Sequence, residues 1–459
     1  MTTARASVPA ARASGFPPPA RGVASPARGV ASPTPAPSLR ERPVERRPRP
    51  ERGSGRLGPV HTGQLVCWQG AIAAVAATLG RDIALTIAVS VLAVIVLAFT
   101  AIRIRGRWLY QWFSLAMDYS LRETTLEVPR LGDRRAELLS FVARGGAMAN
   151  TEFDKTEIGV IEHAGGVTAV LELTGPQGGL IAERPVVLPS PAALLPPADP
   201  AVLPTSVQLI IQTVPAILDG NDPAAVSYQQ LTEGLIPAER RAWLALQLIR
   251  TVDSHPDEVL RKMLGGSVRR MIRRLRQDGI TARALDGNET LNTLASLAHL
   301  TVPSMVQTRN ADGSATIDLR ALQQAGPIAR EDWKVWWTQS VPQATYRIRR
   351  WPDLSTPPGS QLFARLASVP ASAVTVSLAA RRPAWAYSPD AQKDKERGGA
   401  DEVMLEAAIR IAAADTDRLA HISSLLVERA SACGATLERL NGQHRYGLAA
   451  TLPLGGFVP

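Results

Sequence analysis

The sequence predicts a membrane-anchored α/β protein: a disordered N-terminal tail, a two-helix transmembrane hairpin and a mixed α/β soluble domain. Three observations carry this expectation. Residues 1–60 are dense in Arg, Pro and Ala. Residues 83–102 form an uncharged apolar run. Beyond about residue 124, strand-like and helix-like periods alternate, as in α/β and α+β domains.

The tail comes first. Its 60 residues hold 11 Arg against Glu41, Glu45 and Glu51, and they include the heptapeptide PARGVAS twice, from Pro19 and from Pro26. Such a composition cannot bury enough apolar surface to offset the entropy of ordering. The whole chain carries +10, but residues 121–459 hold 36 basic and 36 acidic side chains. The excess charge therefore belongs to the tail and to the segment after the apolar runs. A nucleic-acid partner is not expected.

Residues 61–103 form the predicted hairpin, with helices at about 63–79 and 83–102. The second run has only Thr and Ser as polar members, enough for a helix to cross a hydrocarbon core of about 30 Å. Gly80, Arg81 and Asp82 leave room only for a tight turn, so both ends emerge on one side. Arg40, Arg42, Arg46, Arg47, Arg49, Arg52 and Arg56 precede the hairpin, and Arg103, Arg105 and Arg107 follow it. Positive-inside logic puts both termini and the soluble domain in the cytoplasm of a multi-pass cell-membrane protein. Trp108, Tyr110 and Trp112 stand where an aromatic belt would form at the lipid bilayer. Residues 104–123 read as a juxtamembrane amphipathic helix, either prolonging the second span or lying flat at the interface.

The soluble domain is expected over 124–459, with loops at 183–205, 310–326 and 383–402. Strands are predicted at 158–162 and 167–173 around a Gly-rich turn, then at 206–214, 242–249, 280–285, 344–351, 373–379, 405–413, 436–440 and 446–452. Leu260, Met263, Leu264, Val268, Met271, Ile272 and Leu275 repeat at the helical period over 257–277, and Gly279 is a natural stop. Asp286 and Glu289 form a helix-start pattern for 288–299. Further helices are expected near 360–367 and over 416–432.

Catalytic motifs are missing from the sequence. It has no GxxxxGK[ST], no GxGxxG after a strand, no HExxH and no GxSxG. Cys67 and Cys433 make neither a disulfide scaffold nor a zinc module. No cofactor and no catalytic residue are predicted. Asp415 and Asp417 form a DxD, a pattern that suits a divalent ion beside a diphosphate. Asp415 also stands where a helix N-cap is needed, and Asp417 suits the positive end of that helix. Arg269, Arg270, Arg273, Arg274 and Arg276 lie opposite the apolar stripe of 257–277, a solvated face or a surface for an acidic partner or lipid. Trp333, Trp336 and Trp337 have i, i+3, i+4 spacing, which predicts one helix face, buried or at a partner interface.

Several segments then follow in a fixed order. RGRWLYQW (105–112) leaves the hairpin. SVQLIIQT (206–213), SYQQL (227–231) and IPAERRAWLALQL (236–248) precede a helix and strand at 257–285. EDWKVWW (331–337), YRIRRWP (346–352) and ATLPLG (450–455) close the chain. This ordered set resembles EccE, the small-hairpin membrane component of the type VII secretion system of actinobacteria. The resemblance implies a non-enzymatic structural subunit, with membrane partners of the EccB, EccC and EccD types and with ATPase work left to EccC. It implies export of WXG100-type proteins and a soluble domain similar to a glycosyltransferase fold without activity. Two alternatives stay open: a membrane-anchored glycosyltransferase-like enzyme using Asp415 and Asp417, and a lipid- or DNA-tethering adaptor driven by the Arg-rich tail.

Overall fold

The computed structural model describes residues 56–57, 60–80, 83–104, 107–127, 133–153, 156–174, 188–197, 202–214, 227, 239–251, 256–301, 308–309, 315–316, 327–383, 387 and 402–457. All of the predicted tail except residues 56, 57 and 60, the turn residues Arg81 and Asp82, Arg105, and most of the three predicted loops lie outside these residues.

The described chain opens on a short antiparallel ladder that pairs Arg56 with His61 and Leu57 with Val60, so the end of the predicted disordered tail is paired backbone. Two antiparallel helices follow, α1 (Thr62–Thr78) and α2 (Ile83–Ala101). Trp68 Nε1 donates to Thr100 Oγ1 at 2.8 Å near their open end. Thr86 Oγ1 donates to the Thr78 carbonyl at 2.8 Å near the turn. The α2 helix has 19 residues, carries no charged side chain and buries only Ala93; by length and composition it can cross a membrane. After Ala101 the chain reverses through a short antiparallel ladder that pairs Arg103 with Trp108 and Ile104 with Arg107. The α3 helix (Leu109–Leu121) is therefore a separate element and not a continuation of α2.

The body is built on thirteen described strands, all paired antiparallel. In chain order they are β1 (Thr125–Leu126), β2 (Ala147–Phe153), β3 (Thr156–His163), β4 (Gly166–Thr174), β5 (Thr205–Val214), β6 (Glu239–Ile249) and β7 (Thr281–Ala284). Then come β8 (Ala329–Glu331), β9 (Trp336–Thr338), β10 (Val341–Arg350), β11 (Ala373–Arg381), β12 (Met404–Ala412) and β13 (Thr436–Arg439). Across the sheet the order is β1-β8-β9-β10-β12-β11-β5-β6-β4-β3-β2; β7 also pairs with β4, and β13 with β10.

That order contains one unit twice. The first unit runs β4, α5 (Pro191–Leu194), β5, β6, α6 (Asp257–Gln277), β7. The second runs β10, α8 (Pro357–Ser360) with α9 (Leu362–Ala367), β11, β12, α10 (Thr416–Ala432), β13. In each, the four strands lie in the order fourth, first, third, second, which is the split β-α-β arrangement of ferredoxin-like units. The second strands β5 and β11 pair antiparallel from Ser206–Arg381 to Thr213–Val374, so the two units form one continuous sheet about a local two-fold. Each unit is followed by a further helix: α7 (Gly287–Leu297) and α11 (His444–Thr451).

Strand alternation sorts the core onto two faces. On one face, Leu260, Leu264, Val268 and Leu275 of α6 cover Leu171, Leu244 and Leu246. On the same face Leu419, Ile422 and Leu426 of α10 cover Ile409 and Ile411. The opposite face carries α4 (Arg134–Val142), α7 and α11, whose Leu138, Leu294 and Leu448 pack on Ile161, Ile210, Trp243 and Trp336.

Three expectations change here. The predicted strand over 446–452 is the helix α11, which lies across the sheet rather than joining it. Gly447 permits this, because a Cβ there would meet Thr345 Cβ at 2.6 Å. Trp333, Trp336 and Trp337 do not share a helix face: Trp336 and Trp337 are in β9, and Trp333 is in the turn before it. Part of the predicted loop 183–205 is structured, since α5 buries Leu194 and adjoining Leu195 in the first unit's core. The bounds of α6 and α10 agree with the sequence reading, as does the capping box of Asp286 and Glu289.

One buried cation ties the second face together. Arg410 of β12 is fully buried. Its Nε donates to Thr451 Oγ1 at 2.8 Å and its Nη2 to the Leu297 carbonyl at 2.7 Å, and Nη1 reaches Gln343 Oε1. Leu297 and Thr451 end α7 and α11, so the negative ends of two helix dipoles stand in for a carboxylate. Burial still lowers the guanidinium to about 9.

Candidate functional site

The hairpin exit and the body meet in a collar of charge pairs and stacked rings. Arg107, directly before α3, donates through Nε to Glu438 Oε1 of β13 at 2.6 Å and through Nη2 to Gln443 Oε1 at 3.2 Å. Arg347 of β10 reaches the other carboxylate oxygen at 3.0 Å. Burial alone would raise Glu438, but Arg347 and Arg107 hold it below the usual carboxylate range.

The α3 helix turns one face to the body. Leu115 is buried, Trp112 lies 6.5 Å from Trp333, and Tyr119 meets Trp333 edge-on at 5.2 Å. Trp333 closes on backbone: a Cβ at Gly442, which has φ +67°, would stand 2.5 Å from the ring. At the end of α3, Arg122 Nη2 bonds Glu331 Oε1 at 2.8 Å and the Gly442 carbonyl at 2.6 Å. Glu331 also accepts from the Arg445 amide at 3.2 Å, and its own carbonyl accepts from the Tyr119 hydroxyl at 3.1 Å. Burial pushes the Glu331 carboxyl up, against the pull of Arg122.

The opposite face of α3 is apolar and open. Phe113, Met117 and Leu121 repeat every four residues and are 59%, 51% and 77% exposed. Phe113 meets Phe99 of α2 edge-on at 6.0 Å, so this stripe continues the apolar surface of the hairpin. Among the described residues, the large apolar side chains that stand exposed fall between Val66 and Leu121, except Val259, Met263, Leu354 and Val427.

The other predicted site residues are dispersed. Arg103 is exposed, with its guanidinium 5.7 Å from the Trp108 ring. Trp108 stands at the N-cap of α3, its amide bonded to Gln111 Oε1 at 3.1 Å, and Tyr110 is half-buried beside Gln111. Trp336 is buried against Phe141 at 6.2 Å, while Trp337 Nε1 donates to Asp332 at 2.8 Å. Of the three tryptophans, only Trp333 belongs to the collar. Arg269, Arg270, Arg273 and Arg274 are exposed on α6. Asp415 is the N-cap of α10, accepting from the Arg418 amide at 2.7 Å, and Asp417 lies in the first turn. Among the described residues no three His, Cys, Asp or Glu side chains converge on a metal position.

Glu331, Glu438 and Gly442 were invisible as site residues in the sequence, since each is over 200 positions from its partner in α3 or the hairpin exit. No protein-family model matches the chain, and no curated protein matches it.

Proposed function

We propose that the chain is a membrane-anchored, non-catalytic structural subunit. It is the kind of subunit that the resemblance to EccE implies for the type VII secretion complex, supporting export of WXG100-type proteins beside EccB-, EccC- and EccD-type subunits. The observation that carries this reading is the collar. The apolar hairpin is clamped to the body by Arg107–Glu438, Arg122–Glu331 and the Trp112–Trp333–Tyr119 cluster. Such a joint passes force and orientation between membrane and body, which suits a brace.

In this reading α2 crosses the bilayer, α1 returns beside it, and α3 lies in the interface with Phe113, Met117 and Leu121 toward lipid. Both termini and the body face the cytoplasm. Affinity purification of the full chain from gently solubilised membranes tests the assembly. Co-purification of a secretion ATPase and a multi-spanning subunit is expected, and recovery without them overturns it. A cysteine placed at either terminus should stay unlabelled by an impermeant reagent until cells are lysed; labelling of intact cells overturns the topology.

A further inference from the structure

The two units match in topology but not in the charge of their long helices. Between Glu258 and Asp278 the first unit's α6 has Arg261, Lys262, Arg269, Arg270, Arg273, Arg274 and Arg276 and no acid. The matching α10 balances Arg418 and Arg429 with Asp417 and Glu428. Part of the α6 charge is used locally: Arg261 pairs with Glu162 at 2.6 Å, Lys262 with Glu258 at 3.0 Å, and Arg269 stacks 4.6 Å over Phe153. Arg270 bonds Ser267 Oγ at 3.0 Å and Arg274 reaches the Ala193 carbonyl. Among the described residues no carboxylate pairs with Arg270, Arg273 or Arg274. Val259 and Met263, 39% and 38% exposed, continue the same line of the helix at steps of three or four residues through Ser267 to Arg270 and Arg274.

We propose that this outer face of α6 docks an acidic, amphipathic segment of a partner protein. The segment's apolar end rests on Val259 and Met263, and its carboxylates meet Arg270, Arg273 and Arg274. Guanidinium forks suit carboxylates, which they bind in bidentate fashion. The arginines lie in the C-terminal half of the helix that leads into β7, and the hairpin is clamped at β13. Seven strand steps separate β13 from β7, about 34 Å at roughly 4.8 Å each, so this corner stands away from the membrane exit. The apolar end of the line favours a protein segment over nucleic acid, for which stacking aromatics between the arginines would be expected.

The test uses the full chain in its native membrane, with a photo-crosslinking amino acid at Met263 or Ser267. The expected result is an adduct whose mapped peptide holds at least about three Asp or Glu within two or three helical turns. The combined variant R270E, R273E and R274E should cut the adduct about tenfold or more. Changing the mapped carboxylates to Lys should restore it on that variant. R270Q, R273Q and R274Q should cut the adduct without rescue by Lys. An unchanged thermal midpoint would show that the variants fold. The inference is overturned by an adduct to lipid or nucleic acid, or to a segment without acids. It is also overturned by an adduct that ignores charge reversal, or by no adduct while the same probe at Phe113 reacts. These outcomes are read on α6 alone, so they are separate from the co-purification test.

Discussion

Arg283 and Glu438 occupy the same place in the two units of the sheet and carry opposite charges. Arg283 of β7 pairs across the ladder with Glu172 of β4 at 2.9 Å; Glu438 of β13 pairs with Arg347 of β10 at 3.0 Å. Two residues later, Leu285 donates to the Val170 carbonyl and Leu440 to the Thr345 carbonyl, both at 3.0 Å. In the first unit the third partner is Glu289, from the first turn of α7. In the second it is Arg107, from the hairpin exit. A place that one unit fills with its own helix is used by the other to hold the hairpin.

Glu438→Ala should free the hairpin exit and leave two cations facing each other. The expected loss is about 2–3 kcal/mol of stability, with faster hydrogen exchange over 103–122. Arg347→Ala removes a more exposed partner and should cost under about 1 kcal/mol. Equal losses from the two variants would refute the clamp.

Gly442→Ala should push Trp333 off the collar. Its φ of +67° and the 2.5 Å approach to the ring leave no room for a methyl group. A cost of about 2 kcal/mol is expected from the left-handed backbone alone. Near-ultraviolet circular dichroism should change, and trypsin should cut sooner after Arg107 and Arg122. An unaltered tryptophan signal would count against the packing described.

Arg410 is balanced by helix ends rather than by an anion. Arg410→Ala should cost about 3–5 kcal/mol in denaturant unfolding, because the Leu297 carbonyl, Gln343 and Thr451 lose their donor. Arg410→Met keeps the volume and removes the buried charge, so it should cost less than Arg410→Ala. The reverse order would show that packing volume is not what the site lacks.

His444, at the start of α11, is fully buried. Burial, with Arg439 and Arg122 nearby, pushes its imidazole down to about 3. A base lowered in the folded state stabilises fully above its unfolded value near 6.5 and loses that contribution as pH falls toward 3. At pH 5 the loss is about 2 kcal/mol. His444→Phe should flatten the thermal midpoint between pH 6.5 and 5; an unchanged slope would rule out this source.

Asp415→Ala should cost about 1 kcal/mol as a lost N-cap, and Asp417→Ala only a few tenths. Calorimetry with Mn²⁺ and nucleotide sugars separates this from the ligand reading. A binding signal abolished by Asp417→Ala would favour the glycosyltransferase-like alternative.

Local physics made much of the chain legible in the sequence. The apolar run of α2, the 3.6-residue period and glycine stop of α6, the Asp286–Glu289 box and the Asp415 cap are set within a few residues of each other. Trp333, Trp336 and Trp337 misled because their spacing is equally that of a strand with a preceding turn, and cross-strand pairing chose the strand. Residues 446–452 misled because their small and apolar residues suit either state, and the open face of the sheet chose the helix.

By itself, then, the sequence determined the apolar helix α2, the charge asymmetry of the chain and the bounds of its periodic helices, because each follows from neighbours along the backbone. Only the tertiary structure decided the repeated unit and the clamp of Arg107 on Glu438. The repeat survives as strand order and register while matching positions have exchanged charge, and the clamp joins residues 331 positions apart. Neither leaves a mark on any local stretch of residues.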